Sequence, residues 1–213
     1  ERLLVEKTAT LFRGASRILS VLHGLDIADV LDFEEKYDEQ FWALKYLYRN
    51  IKREHIFVGL TIANSLVSYQ LNCSGEKYWW EFSRYFSGKN IEIHDVVSEL
   101  IHFLRASRCN RRLRSQKATR LCRARPVREA YAFRLNWLMK NQEVIATILA
   151  KHLKTRVEAK TIVFTVKMLN YSLRIISGKR LIAPHNVDIP LDSRIRRVST
   201  SLGIRNSRVF WRN

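Results

Sequence analysis

A chain of 213 residues, 46% of them hydrophobic, can bury one sizeable core or two small helical lobes. Only 7 glycines and 3 prolines are present, and so little turn chemistry favours long helices over a sheet protein. The net charge of +18 predicts a polyanionic partner, nucleic acid first, and no apolar stretch of about 20 residues offers a transmembrane helix.

In chain order, residues 1–31 read as helical, marked by Leu3, Leu11, Ile18, Val21 and Leu22, with a break offered at Gly24. "DFEEKYDEQFWALKYLYRNI" (32–51) reads as a second helical run, because Phe41, Leu44, Leu47 and Tyr48 recur at 3–4 spacing and make one buried face. Residues 54–71 are more apolar and so more central. Residues 72–86 join a Ser-Gly turn to an aromatic cluster, and 90–107 form an amphipathic helix. Residues 128–153 hold two helices with a break near Asn141. Residues 158–176 are helical up to a turn at Gly178, and 182–202 begin extended between prolines and turn helical after Asp192. Neither an alternating strand pattern nor an internal repeat is found, so the fold class is all-α.

Three features limit the chemistry. Cys73, Cys109 and Cys122 make no Cys-x-x-Cys pair and no Cys/His cluster, so no zinc or iron–sulfur site is expected, and free thiols in a reducing cytoplasm are. No signal peptide is visible, and the chain opens on Glu1 rather than Met, which reads as a fragment or a processed product. Between Arg105 and Arg128 stand ten basic residues with no acid among them. Such a run is either a solvated helix face or a phosphate-binding track, and the mutual repulsion of its charges favours the second.

The segment "EAKTIVFTVKMLNYS" (158–172) carries two lysines in a run built to pack on a core. At about 100° per residue, Ile162, Val166, Leu169 and Leu173 share one stripe. Lys160, Phe164, Lys167 and Tyr171 fall on the opposite, open face. Lys160 alone reads as an ordinary surface lysine. Asp192 follows 32 residues later, after Pro190 has fixed the local backbone, and it or Ser193 can cap the next helix. A carboxylate brought near a lysine on a facing helix also suits amine chemistry, because the amine must lose a proton before it attacks.

"KTIVFTVKMLNYS" followed by "IPLDSRI" resembles the archaeal 8-oxoguanine DNA glycosylase/lyase family, a branch of the helix-hairpin-helix superfamily. "SYQLNCSGEKYWWEFSRYF" and "CNRRLRSQKATRL" resemble two further segments of that family, so the likeness covers roughly residues 25–202. It implies a single domain over 1–213, with two helical subdomains around a DNA-binding cleft and a divergent helix-hairpin-helix region near 143–202. The hairpin stretch "HLKTRVEAK" lacks the glycine of the usual motif.

The resemblance makes Lys160 the Schiff-base lysine and Asp192 the catalytic aspartate. Trp79 and Phe164 would sandwich the extruded base, Gln40 would read its edge, and Ser68 and Pro190 would complete the pocket wall. On the residues alone, Trp79 or Trp80 reads equally as a core aromatic, and Ser68 as a hydroxyl bonded back to its own helix. Arg111, Arg112, Arg114 and Lys117 are the expected DNA-backbone contacts. The implied partner is duplex DNA containing 8-oxoguanine, with single-stranded DNA as a second one. The implied protein is a cytoplasmic, nucleoid-associated monomer with no membrane association, no metal and no cofactor. The family pattern also has a later helix that brings an acid and a tryptophan to the pocket. The sequence ends at Asn213, 21 residues past Asp192, and Trp211 is not at the matching distance, so slow base excision with retained abasic-site nicking is expected. The other readings are a glycosylase for a different damaged base and a non-catalytic helical nucleic-acid-binding protein. The Lys160–Asp192 pair favours an enzyme, because a binder needs neither.

Overall fold

The structure is a computed structural model that describes residues 16, 20, 24, 26–124, 133–184, 187 and 193–201. The chain divides into two compact units, one of residues 1–36 with 188–213 and one of residues 37–187. Every regular element among the described residues is a helix, as the scarcity of glycine, proline and alternating patterns predicts.

The first unit holds all but the last residue of α1 (Ile27–Tyr37), which starts where Asp26 Oδ1 accepts the Ala28 N–H at 2.9 Å. It also holds α10 (Ser193–Ser201), which begins at the position after Asp192. The rest of the fold belongs to the second unit. The run expected over 32–51 is two helices, not one. Asp38 takes an extended backbone (φ −79°, ψ 107°), accepts the Gln40 N–H at 2.8 Å and so caps α2 (Glu39–Ile51). α3 (Glu54–Ser65) is buried from Ile56 to Ser65, as a helix apolar on all sides must be. The helix stops at Ser65, short of the 54–71 span, and the chain turns through Leu66 and Val67 before reaching Ser68. The Ser-Gly turn becomes a helix start, with Ser74 capping α4 (Gly75–Phe86) by accepting the Lys77 N–H.

A short 3-10 turn (Ile93–Asp95), α5 (Val96–Ala106) and α6 (Arg114–Arg123) follow. The break expected near Asn141 is found between α7 (Leu135–Lys140) and α8 (Gln142–His152). α9 (Lys160–Ser177) ends at Gly178, whose φ of 63° is a conformation that glycine adopts without a steric penalty. In the glycine-free hairpin between α8 and α9, Lys154 takes the left-handed position instead, at φ 48°.

Two apolar clusters fill this unit. One joins α2, α4 and α5 through Leu44, Trp79, Phe82 and Phe103. The other joins α7 and α8 through Leu138, Ile145 and Leu149. α3 and α9 contribute to both: Phe57 and Leu60 face the first, Val58 and Ile62 the second. On α9, the stripe of Ile162, Val166, Leu169 and Leu173 is buried in the second cluster, as its spacing predicts. The opposite face is not open along its length. Tyr171 is buried in the first cluster beside Met168, because the helix is sandwiched between two cores.

The cysteines depart from expectation. Cys73 and Cys109 are joined in a disulfide, and only Cys122 is a free thiol. The Asn72 N–H donates to the Cys109 carbonyl at 2.7 Å, and this contact brings together two segments 36 residues apart.

Candidate active site

Lys160 is the first residue of α9 and is exposed. Ala159 precedes it in an extended conformation and offers no capping side chain. One turn on, Phe164 is half-buried, and its ring centroid lies 6.3 Å from that of Trp79 with the planes inclined by 58°. Trp79 itself is fully buried, with a second edge-on contact to Phe82 at 5.4 Å. Its reading as a core aromatic therefore holds, and the two rings touch rather than frame a slot. The neighbouring Trp80 points outward against Tyr46.

Gln40 sits half-buried in the first turn of α2, with its amide against the start of α4. A Cβ at Gly75 would stand 3.0 Å from Gln40 Nε2, so the glycine makes room for that side chain one turn before Trp79. Ser68 donates its hydroxyl to the Asn64 carbonyl at 2.7 Å, the back-bonded arrangement its sequence context allowed. Lys160, Phe164, Trp79 and Gln40 are thus carried by α9, α4 and α2, of which α2 packs on both of the others, and the Phe164–Trp79 contact links α9 to α4. Asp192 and Pro190 lie outside the described residues.

Asp38 is a residue that the sequence reading passed over. Besides capping α2 it accepts the Tyr171 hydroxyl at 2.8 Å and pairs with Lys167 Nζ at 3.2 Å, both through Oδ2. Lys167 is the other amine on the side of α9 that carries Lys160, and it is held in this ion pair. The signal was an aspartate two residues before Gln40, at the point where the helical run breaks.

The basic tract is not one solvated face. Arg105 lies in the last turn of α5, and Arg108, Arg111, Arg112 and Arg123 are exposed, whereas Arg114, Lys117 and Arg120 turn into the fold. Arg114 Nη2 donates to the Ser107 carbonyl at 2.9 Å. Lys117 corrects the expectation of a phosphate contact, because it is fully buried. Its ammonium donates to the Tyr69 carbonyl at 2.6 Å and to Asn110 Oδ1, and lies over the Tyr69 ring. Burial pushes its pKa down to about 8. Asn110 in turn donates to the Val67 carbonyl and to the Tyr78 hydroxyl, which pairs with Asn64. Burial raises the pKa of that hydroxyl, so it stays protonated. This network fixes the turn that carries Ser68 against α4 and α6. Arg120 is half-buried, and its Nη2 donates to the hydroxyl of Thr161, the residue after Lys160, at 2.7 Å.

A family model described as AGOG, N-glycosylase/DNA lyase, matches residues 19–211. The chain is similar to the N-glycosylase/DNA lyase of Thermococcus kodakarensis, with 36% identity over 214 residues covering 100% of this chain and 81% of that protein. It is 37% identical over 195 residues to the N-glycosylase/DNA lyase of Methanopyrus kandleri, covering 89% of this chain and 78% of the relative. Among solved structures, the crystal structure of Pa-AGOG, an 8-oxoguanine DNA glycosylase from Pyrobaculum aerophilum complexed with 8-oxoguanosine, superposes with a TM-score of 0.78. That likeness covers 93% of this chain and 78% of that one at 23% sequence identity, and it is a likeness of fold.

Proposed function

The chain belongs to the AGOG family of N-glycosylase/DNA lyases, and from that premise we propose that it excises 8-oxoguanine from DNA by way of a lysine Schiff base. The observation that carries the reading is the exposed amine of Lys160 at the start of a helix rooted in two cores, one turn from the Phe164–Trp79 pair.

The target nucleotide leaves the duplex, because its glycosidic carbon cannot be reached inside the stack. The base then stacks on Phe164 and Trp79, with about 1–3 kcal/mol per base–aromatic contact. Two parallel rings holding a base between them need centroids roughly 7 Å apart, twice the contact distance of about 3.5 Å. At 6.3 Å and 58° the rings must separate and turn, and half-buried Phe164 is the one free to move. Gln40 supplies an amide to the base edge. The neutral amine of Lys160 forms a bond to C1′ as the C1′–N9 bond breaks, and the electron pair leaves with the purine. Asp192 stabilises the positive charge on the sugar and takes up the lysine proton. Ring opening gives the imine, loss of a C2′ proton follows, and the 3′ phosphate departs by β-elimination. The exposed Arg108, Arg111, Arg112 and Arg123 hold the backbone of duplex or single-stranded DNA through sequence-blind phosphate contacts. On this reading the protein works on the nucleoid, in the cytoplasm, and as a monomer. No described helix is long and apolar enough to cross a membrane.

The test is borohydride trapping on an 8-oxoguanine duplex, with an unmodified duplex alongside. A covalent adduct is expected with the lesion alone, and Lys160→Gln should abolish it while DNA binding persists. An adduct that survives in Lys160→Gln would move the chemistry to another amine. Asp192→Asn should trap poorly, whereas a residue that only capped α10 would tolerate Asn.

A further inference from the structure

The inward face of α6 carries Arg114, Lys117 and Arg120 at one-turn spacing, each held by neutral oxygen atoms alone: a carbonyl of Ser107, a carbonyl and an amide oxygen around Lys117, and the hydroxyl of Thr161. Among the described residues none of the three is in an ion pair, since the pairs found there involve Arg53, Lys89, His94, His102 and Lys167. Cations drawn out of water with no counter-charge are unfavourable unless a ligand supplies one. For Lys117 no ligand can, because it is sealed in the fold. Arg120 is different. It reaches the surface while its Nε is buried without a hydrogen-bond partner, and burial lowers its pKa with only the Tyr69 hydroxyl opposing.

Its position gives that unbalanced charge a direction. Thr161 fixes one arm of the guanidinium, and Thr161 is covalently next to Lys160. A guanidinium presents five N–H donors in a rigid fork suited to two oxygens of one phosphate. An amine that attacks C1′ brings the phosphates of that same nucleotide to the same end of α9. We infer that Arg120 is the phosphate-binding residue of the target nucleotide, clamping the backbone beside the sugar that Lys160 attacks. The inference rests on the reading of Lys160 as the attacking amine. The clamp would hold the sugar in register with the amine, and so act on abasic and base-bearing nucleotides alike.

The experiment pairs Arg120→Ala with duplexes in which each phosphate flanking a single abasic nucleotide is replaced in turn by an uncharged methylphosphonate. For the wild-type chain, one replacement should weaken binding and slow single-turnover strand cleavage roughly tenfold or more. For Arg120→Ala, both losses should already be present on the natural duplex, and that same replacement should add nothing. The slope of log K against log salt should flatten by roughly 0.9 in either case and by no more in the combination. Arg120→Lys should restore the slope and only part of the cleavage rate, because a point charge replaces a fork. If Arg120→Ala loses as much on the methylphosphonate duplexes as wild type does, the inference is overturned. Should Arg120→Ala fail to fold, Thr161→Val, which frees the guanidinium, should lower the cleavage rate with the salt slope intact, and an unchanged rate would refute the clamp. Binding measured in the Lys160→Gln chain separates the two readings, since the coupling between Arg120 and the phosphate persists there even if the lysine chemistry lies elsewhere.

Discussion

Lys117 offers a test of burial against charge. The pKa of its ammonium falls from 10.5 to about 8, with burial as the cause. Between those two values the unfolded chain holds a proton that the folded chain has released, so folding becomes more favourable as pH rises. Below about 8 both states are protonated and the full penalty applies; above about 10.5 neither is and the penalty is gone. At about 1.4 kcal/mol per pH unit the gap is worth about 3 kcal/mol, and about 2 kcal/mol after allowance for relaxation around the site. The released amine still has two N–H groups for its two acceptors, the Tyr69 carbonyl and Asn110 Oδ1. Lys117→Met removes the charge and leaves both acceptors without a donor, a loss of roughly 1–3 kcal/mol each, set against the relief of desolvation. The assay is urea denaturation of both chains from pH 7 to pH 10.5. The stability of wild type minus that of Lys117→Met should rise with pH by about 2 kcal/mol, whatever its sign at pH 7, and side chains common to both cancel in the comparison. A difference independent of pH would show that Lys117 is solvated, and the accompanying salt dependence of DNA binding would then be worth reading as a phosphate contact.

If the burial is as described, Lys117→Met leaves the salt slope of DNA binding unchanged, whereas Arg111→Ala with Arg112→Ala flattens it by roughly 0.9 per lost contact. Gly75→Ala should leave stability within about 0.5 kcal/mol, since only a flexible amide must move, yet it displaces Gln40; excision of 8-oxoguanine is expected to slow several-fold in single-turnover kinetics while abasic-site cleavage holds. Asp38→Ala should lower stability by about 2 kcal/mol through the lost α2 cap, the lost hydrogen bond from Tyr171 and the lost ion pair with Lys167, and Asp38→Asn by less, in denaturant titrations. Reduction of Cys73–Cys109 opens a loop of 36 residues and should cost about 2–4 kcal/mol, while thiol counting on the unreduced protein should find Cys122 alone.

The helices could be read from the sequence because their signals are local. The buried stripe of α9, the stop at Gly178 and the break at Asn141 each lie within one or two turns of the residues that cause them. Asp38 was just as local, a capping residue inside what looked like one run, and it was hidden because Phe41, Leu44 and Leu47 continue a helical period on its far side. What failed depends on distant neighbours. A wheel drawn for α9 sees one core and leaves Tyr171 in solvent, but the helix lies between two. Lys117 stands one turn before buried Leu121, a hint outweighed by nine like-charged neighbours in the tract. Nothing in the spacing of Cys73 and Cys109 shows that Asn72 and Cys109 are hydrogen-bonded. Of the candidate site, Lys160 and Phe164 were put on one helix face by pattern, whereas the roles of Trp79 and Gln40 came only through family likeness.

Because α3 and α9 each give a wall to both apolar clusters, neither cluster can open without exposing the other. The second unit should therefore lose its structure as one cooperative event, with the amides of these two helices exchanging with solvent last. The amine of Lys160, the one proposed to react, then stands at the accessible tip of a helix slow to come apart. A nucleophile must hold its aim to within a fraction of an ångström while a bulky polymer is bent against it. Here the freedom needed to meet the substrate lies in four methylene groups of one side chain, and the backbone behind them yields only when the whole unit does.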